Sequence, residues 1–139
     1  WKVSIDGGTP TKVSDYAAGF YPQVSPNGKL LAIGITDEKT KRPQFAVVTT
    51  DGEPIKTIDA PLQGVVFHWF PDSQSLVFVK TIRGVSNLWR QPLDGGKPEQ
   101  ITNFKSDLIF NFTYSLVGRQ LALSRGNQSG DAVMISDLK

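Results

Sequence analysis

His68 is the only histidine in this 139-residue chain. An imidazole titrates near neutrality, so it is the first side chain to test for acid–base work, nucleophile activation or metal ligation. Its company in the sequence supports none of these. A catalytic serine needs a base and an oxyanion site, and the Gly-x-Ser-x-Gly elbow is absent. The chain has no cysteine, and one imidazole alone does not make a metal site of the usual kind. No segment alternates acidic residues toward a closing glutamate, as a calcium loop does. The Gly-x-x-x-x-Gly-Lys-Ser/Thr phosphate loop is missing, and nothing matches kinase catalytic or metal-binding motifs. Asp6-Gly7-Gly8 and Asp94-Gly95-Gly96 are rich in glycine, but they recur with a fixed period and read as turns. The carboxylates of Asp51/Glu53 and Asp94/Glu99 flank such turns and do not form an acid–base pair. Two Asn-x-Ser/Thr sequons occur, at Asn111 and Asn127, and the first falls within an expected inner strand. The expectation is a non-catalytic chain with no cofactor and no metal.

The elements that hold these residues are set by composition and repetition. Apolar residues make up 39%, aromatics 10% and charged residues 20%, which excludes a disordered, collagen-like or coiled-coil chain. A net charge of +2 is too weak to point to nucleic acid or an anionic membrane. Aromatics do lie among basic residues, but they follow the repeat period, as core packing requires. The longest apolar stretch, Val65 to Phe70, is far short of the ~20 residues of a spanning helix. Opening on Trp1 inside an expected strand, the sequence reads as a piece of a longer protein.

Three segments line up: Val24-Ser25-Pro26-Asn27-Gly28-Lys29-Leu30, Trp69-Phe70-Pro71-Asp72-Ser73-Gln74-Ser75, and Tyr114-Ser115-Leu116-Val117-Gly118-Arg119-Gln120. Pro26, Pro71 and Leu116 are spaced by 45 residues. A second landmark, Asp-Gly with a following proline, recurs out of phase at Asp6, Asp51 and Asp94, with a remnant at Asp137. Two landmarks on one period mark a structural repeat.

Each period predicts four short strands. The first strands are Phe20–Ser25, Val65–Phe70 and Ile109–Ser115. The second strands are Leu30–Thr36, Ser75–Ile82 and Gln120–Arg125. The third are Phe45–Thr50, Asn87–Gln91 and Ala132–Ser136, with Trp1–Ile5 as an earlier copy. The fourth are Thr11–Ser14, Ile55–Ile58 and Glu99–Thr102. Counting by twos along the first strands gives one apolar face: Phe20, Pro22 and Val24, then Val65, Phe67 and Trp69, then Phe110, Phe112 and Tyr114. Gln23, His68 and Thr113 are equivalent positions on the opposite face. His68 is then either a packed core histidine or, with Gln23 and Thr113, a polar group lining a central channel.

Four strands per ~40–45 residues is the blade of a β-propeller. Ser25-Pro26-Asn27-Gly28-Lys29 and Phe70-Pro71-Asp72-Ser73-Gln74 resemble the Ser-Pro-Asp-Gly-Lys signature of WD40-like, TolB-type propeller repeats. The stretch from Asn87 to Asp107 resembles the propeller region of some bacterial serine/threonine kinases. Leu116-Val117 departs from the signature in the third repeat, and the Trp-Asp pair of true WD40 repeats is absent. The resemblance implies an all-β fold, here about three blades of a six-bladed ring: a remnant over 1–15, blades over 16–60 and 61–105, and an incomplete blade over 106–139. It implies a bacterial scaffold for protein–protein interaction or ligand sensing, in a periplasmic or other extracytoplasmic setting. The rival reading is the gating propeller of a prolyl-oligopeptidase-type serine hydrolase with its catalytic domain elsewhere.

In such a meander the Asp-Gly and Pro-Asn-Gly turns share one face of the disc. The longer loops share the other, where repeat proteins usually bind partners. Those loops carry Lys39, Lys41, Arg42, Arg83 and, at an edge, Arg125. They suit an anionic ligand or an acidic protein surface; the plainer reading is a solvated rim, since Asp37, Glu38 and Asp107 lie nearby. Thirteen expected strands fall short of a closed ring, which leaves apolar faces and a strand edge open. Two chains are therefore expected to close one ring as a homodimer, the Thr11–Ser14 strand of one adding to the Ala132–Ser136 edge of the other; the plainer reading is that the rest of the ring lies in further sequence of the same natural chain.

Overall fold

The computed structural model describes residues 1–16, 20–59, 66–115 and 118–129. Its strands are β1 (Phe20–Val24), β2 (Leu30–Thr36), β3 (Pro43–Thr49), β4 (Pro54–Asp59), β5 (Phe67–Trp69), β6 (Ser75–Ile82), β7 (Val85–Pro92), β8 (Glu99–Gln100), β9 (Leu108–Tyr114) and β10 (Leu121–Gly126). They form two four-stranded sheets, β1-β2-β3-β4 and β5-β6-β7-β8, and a two-stranded sheet of β9 and β10. Every pairing is antiparallel between chain neighbours. No helix occurs among the described residues. This is the all-β blade architecture that the repeat predicts.

The turns explain the recurrent Ser/Pro/Asn/Gly chemistry. Asn27 Oδ1 accepts from the Lys29 amide at 3.0 Å and from Ser25 Oγ at 2.7 Å, while Ser25 Oγ accepts from the Leu30 amide at 2.9 Å. Gly28 supplies the left-handed φ of 72° that closes the turn. Asp72 Oδ1 does the same for the Gln74 amide in the second repeat, and Ser115 Oγ for the Gln120 amide in the third.

The middle stretches of β2, β3 and β6 are buried on both faces, so they read as apolar runs. On β2, Ala32 packs toward the second sheet, with Phe45 and Val47 of β3 and Phe67, Trp69, Leu76 and Phe78 opposite. Ile33 and Ile35, with Ala46 and Val48, pack the other way, against Val13. The second sheet repeats the pattern. Val77 and Val79, with Leu88, meet Ile109, Phe112, Leu121 and Leu123 of the third sheet. Phe45 sits between Phe67 and Phe78, with ring centroids 4.6 and 6.1 Å away.

Two expectations are corrected. Trp1–Ile5 and Thr11–Ser14 do not form strands; a single antiparallel bridge, Lys2 to Thr11, joins them. An isolated hairpin without sheet neighbours gains too little to hold a ladder. The apolar face of β1 is exposed, as expected of an arc that stops short of a ring: Val24 is 59% exposed. A bulge between Phe20 and Gln23 further disturbs that strand, with Tyr21 at a φ of 47°. In β9, Phe110 faces solvent and Ile109 takes the core position. The register shifts between Ser124 and Arg125, and one extra residue reverses the parity of an alternation count. The expected strand Ala132–Ser136 lies outside the described residues.

Candidate functional site

Three first-in-sheet strands bring Gln23, His68 and Thr113 to one cleft. Each is paired with the equivalent residue of its neighbour strand: Gln23 with Ala32, His68 with Val77, Thr113 with Ala122. The cleft has a volume of about 450 Å³ and is walled by Pro26, Pro71, Trp69 and Tyr114. Successive sheets are tied together along it. The Trp69 indole donates to the Gln23 carbonyl at 2.7 Å, and the Asn27 amide donates to Ser73 Oγ at 3.1 Å. Gly118 lies so close to Pro71 that a Cβ there would stand 2.6 Å from the proline ring.

His68 is half-buried and meets the Phe112 ring edge-on at 4.9 Å. Burial holds its imidazole below the usual histidine range, and a side-chain hydrogen bond with Asn111 pulls weakly the other way. The neutral ring offers one donor and one acceptor. Gln23 and Thr113 add an amide and a hydroxyl, so the equivalent positions present hydrogen-bonding groups without charge. Phe70 and Tyr114 stack edge-to-face behind them at 5.6 Å. Burial raises the Tyr114 phenol above its ordinary value. Its Oη is enclosed and finds no hydrogen-bond partner among the described residues.

The loop-face cations are disposed differently. Lys39, Lys41, Arg42 and Arg83 are exposed. Lys39 shares its cleft with Asp15, Asp37 and Glu38, so its charge stands among carboxylates. Hydrogen bonds from Thr40 hold the Asp37 carboxyl below its usual range. Arg125 is engaged: its guanidinium lies over the Phe104 ring at 4.0 Å and donates to Asp107 Oδ2 at 3.2 Å and to the Ser106 carbonyl at 2.9 Å. That arginine braces the third sheet.

Sequence reasoning did not find Trp69 or Arg90 as organisers of the site. Arg90 donates to Asp72 Oδ2 at 2.6 Å and to Ser75 Oγ at 2.9 Å, and lies over Phe70 at 4.2 Å. The only sequence signal for these two was their place in the repeat.

No protein-family model matches this sequence, and no curated protein does. Among solved structures, the crystal structure of TolB from Acinetobacter baumannii is similar, with a TM-score of 0.58 and 20% identity. The alignment covers 78% of this chain and 26% of that one, so this chain spans about a quarter of the length of TolB. At that identity the likeness shows the fold, a TolB-like β-propeller arrangement.

Proposed function

We propose that the chain is part of a non-catalytic propeller scaffold, and that the cleft at Gln23, His68 and Thr113 takes its ligand. One observation carries this reading: three positions spaced by 45 residues line one cleft with uncharged hydrogen-bonding groups. An amide, a neutral imidazole and a hydroxyl between Trp69, Tyr114 and two prolines suit an uncharged, extended ligand such as a peptide backbone. The three side chains offer an anion no positive charge. In this reading the chain belongs to a larger bacterial protein, does no chemistry of its own, and carries its cationic loops as a solvated rim.

The test is a titration of isotope-labelled protein with short uncharged peptides, read by NMR. Shifts should concentrate on the Gln23 side-chain amide, the His68 ring, the Trp69 indole and Thr113. Thr113→Arg should abolish them and Lys39→Glu should not. Shifts confined to residues 39–42 and Arg83 would move the binding surface to the loop face.

A further inference from the structure

We infer that the cleft at Gln23, His68 and Thr113 takes a peptide carboxylate together with a proton, which His68 holds. This rests on the reading of the cleft as the ligand site, and adds to it a charged ligand class and the condition under which that class binds. The uncharged segment and the carboxylate are then two ligands of one site, and the protonation state of a single ring selects between them.

The charge inventory around the ring carries the inference. Among the described residues that line the cleft, none is an aspartate, glutamate, lysine or arginine. The three strands that build it, β1, β5 and β9, contain none either. On β6, which pairs with β5, the one charged side chain is Lys80, and its ammonium lies over the Trp89 ring at 4.6 Å. The turn after β5 carries Asp72, which is paired with Arg90 at 2.6 Å. Arg90 is near enough to act on the Tyr114 phenol, but its own charge is matched by that carboxylate. Tyr114 is the other titratable group on the cleft wall, and burial keeps its phenol neutral beyond the ordinary tyrosine range. Among the described residues, the His68 imidazole is therefore the group that changes the charge of the cleft near neutral pH.

Protonation also changes the hydrogen-bonding character of the site. The neutral ring offers one donor and one acceptor, which suits a peptide unit; the imidazolium offers two donors and no acceptor. A carboxylate that enters beside the neutral ring leaves water without a cation to pair with, which is costly. Beside the imidazolium it gains a charge-assisted hydrogen bond, roughly twice as strong as a neutral one. Its second oxygen can accept from the Gln23 amide or the Thr113 hydroxyl, at the equivalent positions of the adjoining strands. The ring is held for this by Phe112, which it meets edge-on at 83°. The Trp69 indole ties β1 to β5 and fixes Gln23 beside it. Burial favours the neutral ring in the empty cleft, so the proton arrives from solvent with the carboxylate. By linkage, the proton raises the affinity for the carboxylate by the same factor as the carboxylate raises the affinity for the proton.

The chain has one histidine, so its ring signals in an NMR titration need no assignment by mutation. The ring is titrated from pH 8 to pH 5 alone and with an excess of each of three acetylated tetra-alanine peptides. The first ends in an amide, the second in a free carboxylate, and the third ends in an amide but has glutamate at its second position. Both carboxylates stay ionised over most of this range, since their ordinary values are about 3.5 and 4.3. A free carboxylate should raise the His68 midpoint by about one unit, as an opposite charge in contact does. Its affinity, followed at the Trp69 indole, should grow up to about tenfold as the pH falls. The fully capped peptide should leave the midpoint in place or lower it. A rise with the second peptide alone assigns the site to chain termini, and a rise with the third assigns it to acidic side chains as well. His68→Gln should make the affinity for the carboxylate peptides independent of pH; a dependence that persists in that variant overturns the inference. If the capped peptide binds and neither carboxylate peptide moves the midpoint, the inference falls while the proposed function stands. If none of the three binds, both fall.

Discussion

The indole N–H of Trp69 donates to the backbone carbonyl of Gln23 across 2.7 Å, so a core tryptophan of one sheet holds the innermost strand of the sheet before it. The ring of Trp69 packs among Phe45, Phe67 and Phe78, while its nitrogen reaches the rim of the cleft. Core packing and cleft geometry are thereby one system. A change that loosens the inter-sheet core also moves Gln23 relative to His68.

Trp69→Phe keeps an aromatic ring but leaves the Gln23 carbonyl without its donor. The bond is part-buried at the rim of the cleft, so the expected cost is about 0.5–1.5 kcal/mol, the net worth of an ordinary hydrogen bond. Urea unfolding checks the loss, and the Gln23 side-chain amide should shift in the NMR spectrum of the variant. An unchanged midpoint would show that water replaces the indole at no cost.

Phe45→Ala removes the ring that Phe67 and Phe78 close upon. Phe45 is fully buried, and a Phe→Ala cavity of this kind costs about 3–5 kcal/mol. Phe110→Ala is the contrasting change: the side chain is 44% exposed, and the effect should stay within about 1 kcal/mol. Equal losses in the two variants would contradict the placement of Phe110 at a bulge.

The sequence displays much of this because the repeat is written twice over. The bounds of β2 and β6 coincide with the expected strands Leu30–Thr36 and Ser75–Ile82, whose centres, Leu30–Ile33 and Leu76–Val79, are apolar because both faces are covered there. The inner-strand equivalence of Gln23, His68 and Thr113 follows from the same period. The bulge at Phe110 was hidden, because alternation counts assume that no residue is inserted. The N-terminal hairpin was over-read for a different reason. Its side chains have strand chemistry, but a strand also needs a neighbour to pair with. Arg125 looked like a free cation because ring stacking on Phe104 and the Ser106 and Asp107 contacts arise from tertiary approach, which no local pattern records.

Gly52 holds the N-terminal hairpin close to the first sheet. Its φ is 99°, and a Cβ there would collide with the Val13 carbonyl. Lys2 adds to the anchorage, donating to Asp51 Oδ1 at 2.8 Å and to the Thr50 carbonyl at 3.1 Å. Gly52→Ala should therefore expose the amides of Lys2 and Thr11 to hydrogen exchange. Gly28→Ala, at a φ of 72° with open space around it, should cost only the left-handed strain, about 1–2 kcal/mol, and leave those amides protected. Protection that survives Gly52→Ala would mean that Lys2 and the packing of Val13 hold the hairpin without the close approach at Gly52.

His68 gives the fold a pH dependence whose sign follows from its burial. The folded imidazole titrates below its ordinary value of 6.5, so between the two values the unfolded chain binds the proton and the folded chain does not. Unfolding then takes up protons, and stability rises with pH across that window. The contribution is fully present above pH 6.5, falls as the pH drops below it, and levels off beneath the folded value. His68→Gln keeps a hydrogen-bonding side chain without a titration in this range, and should flatten the dependence between pH 7 and pH 5. NMR titration of the ring, paired with urea unfolding of both proteins across that range, measures each half of the linkage. A ring that titrates above 6.5 in the folded chain would reverse the sign, and would show that the hydrogen bond with Asn111 outweighs burial.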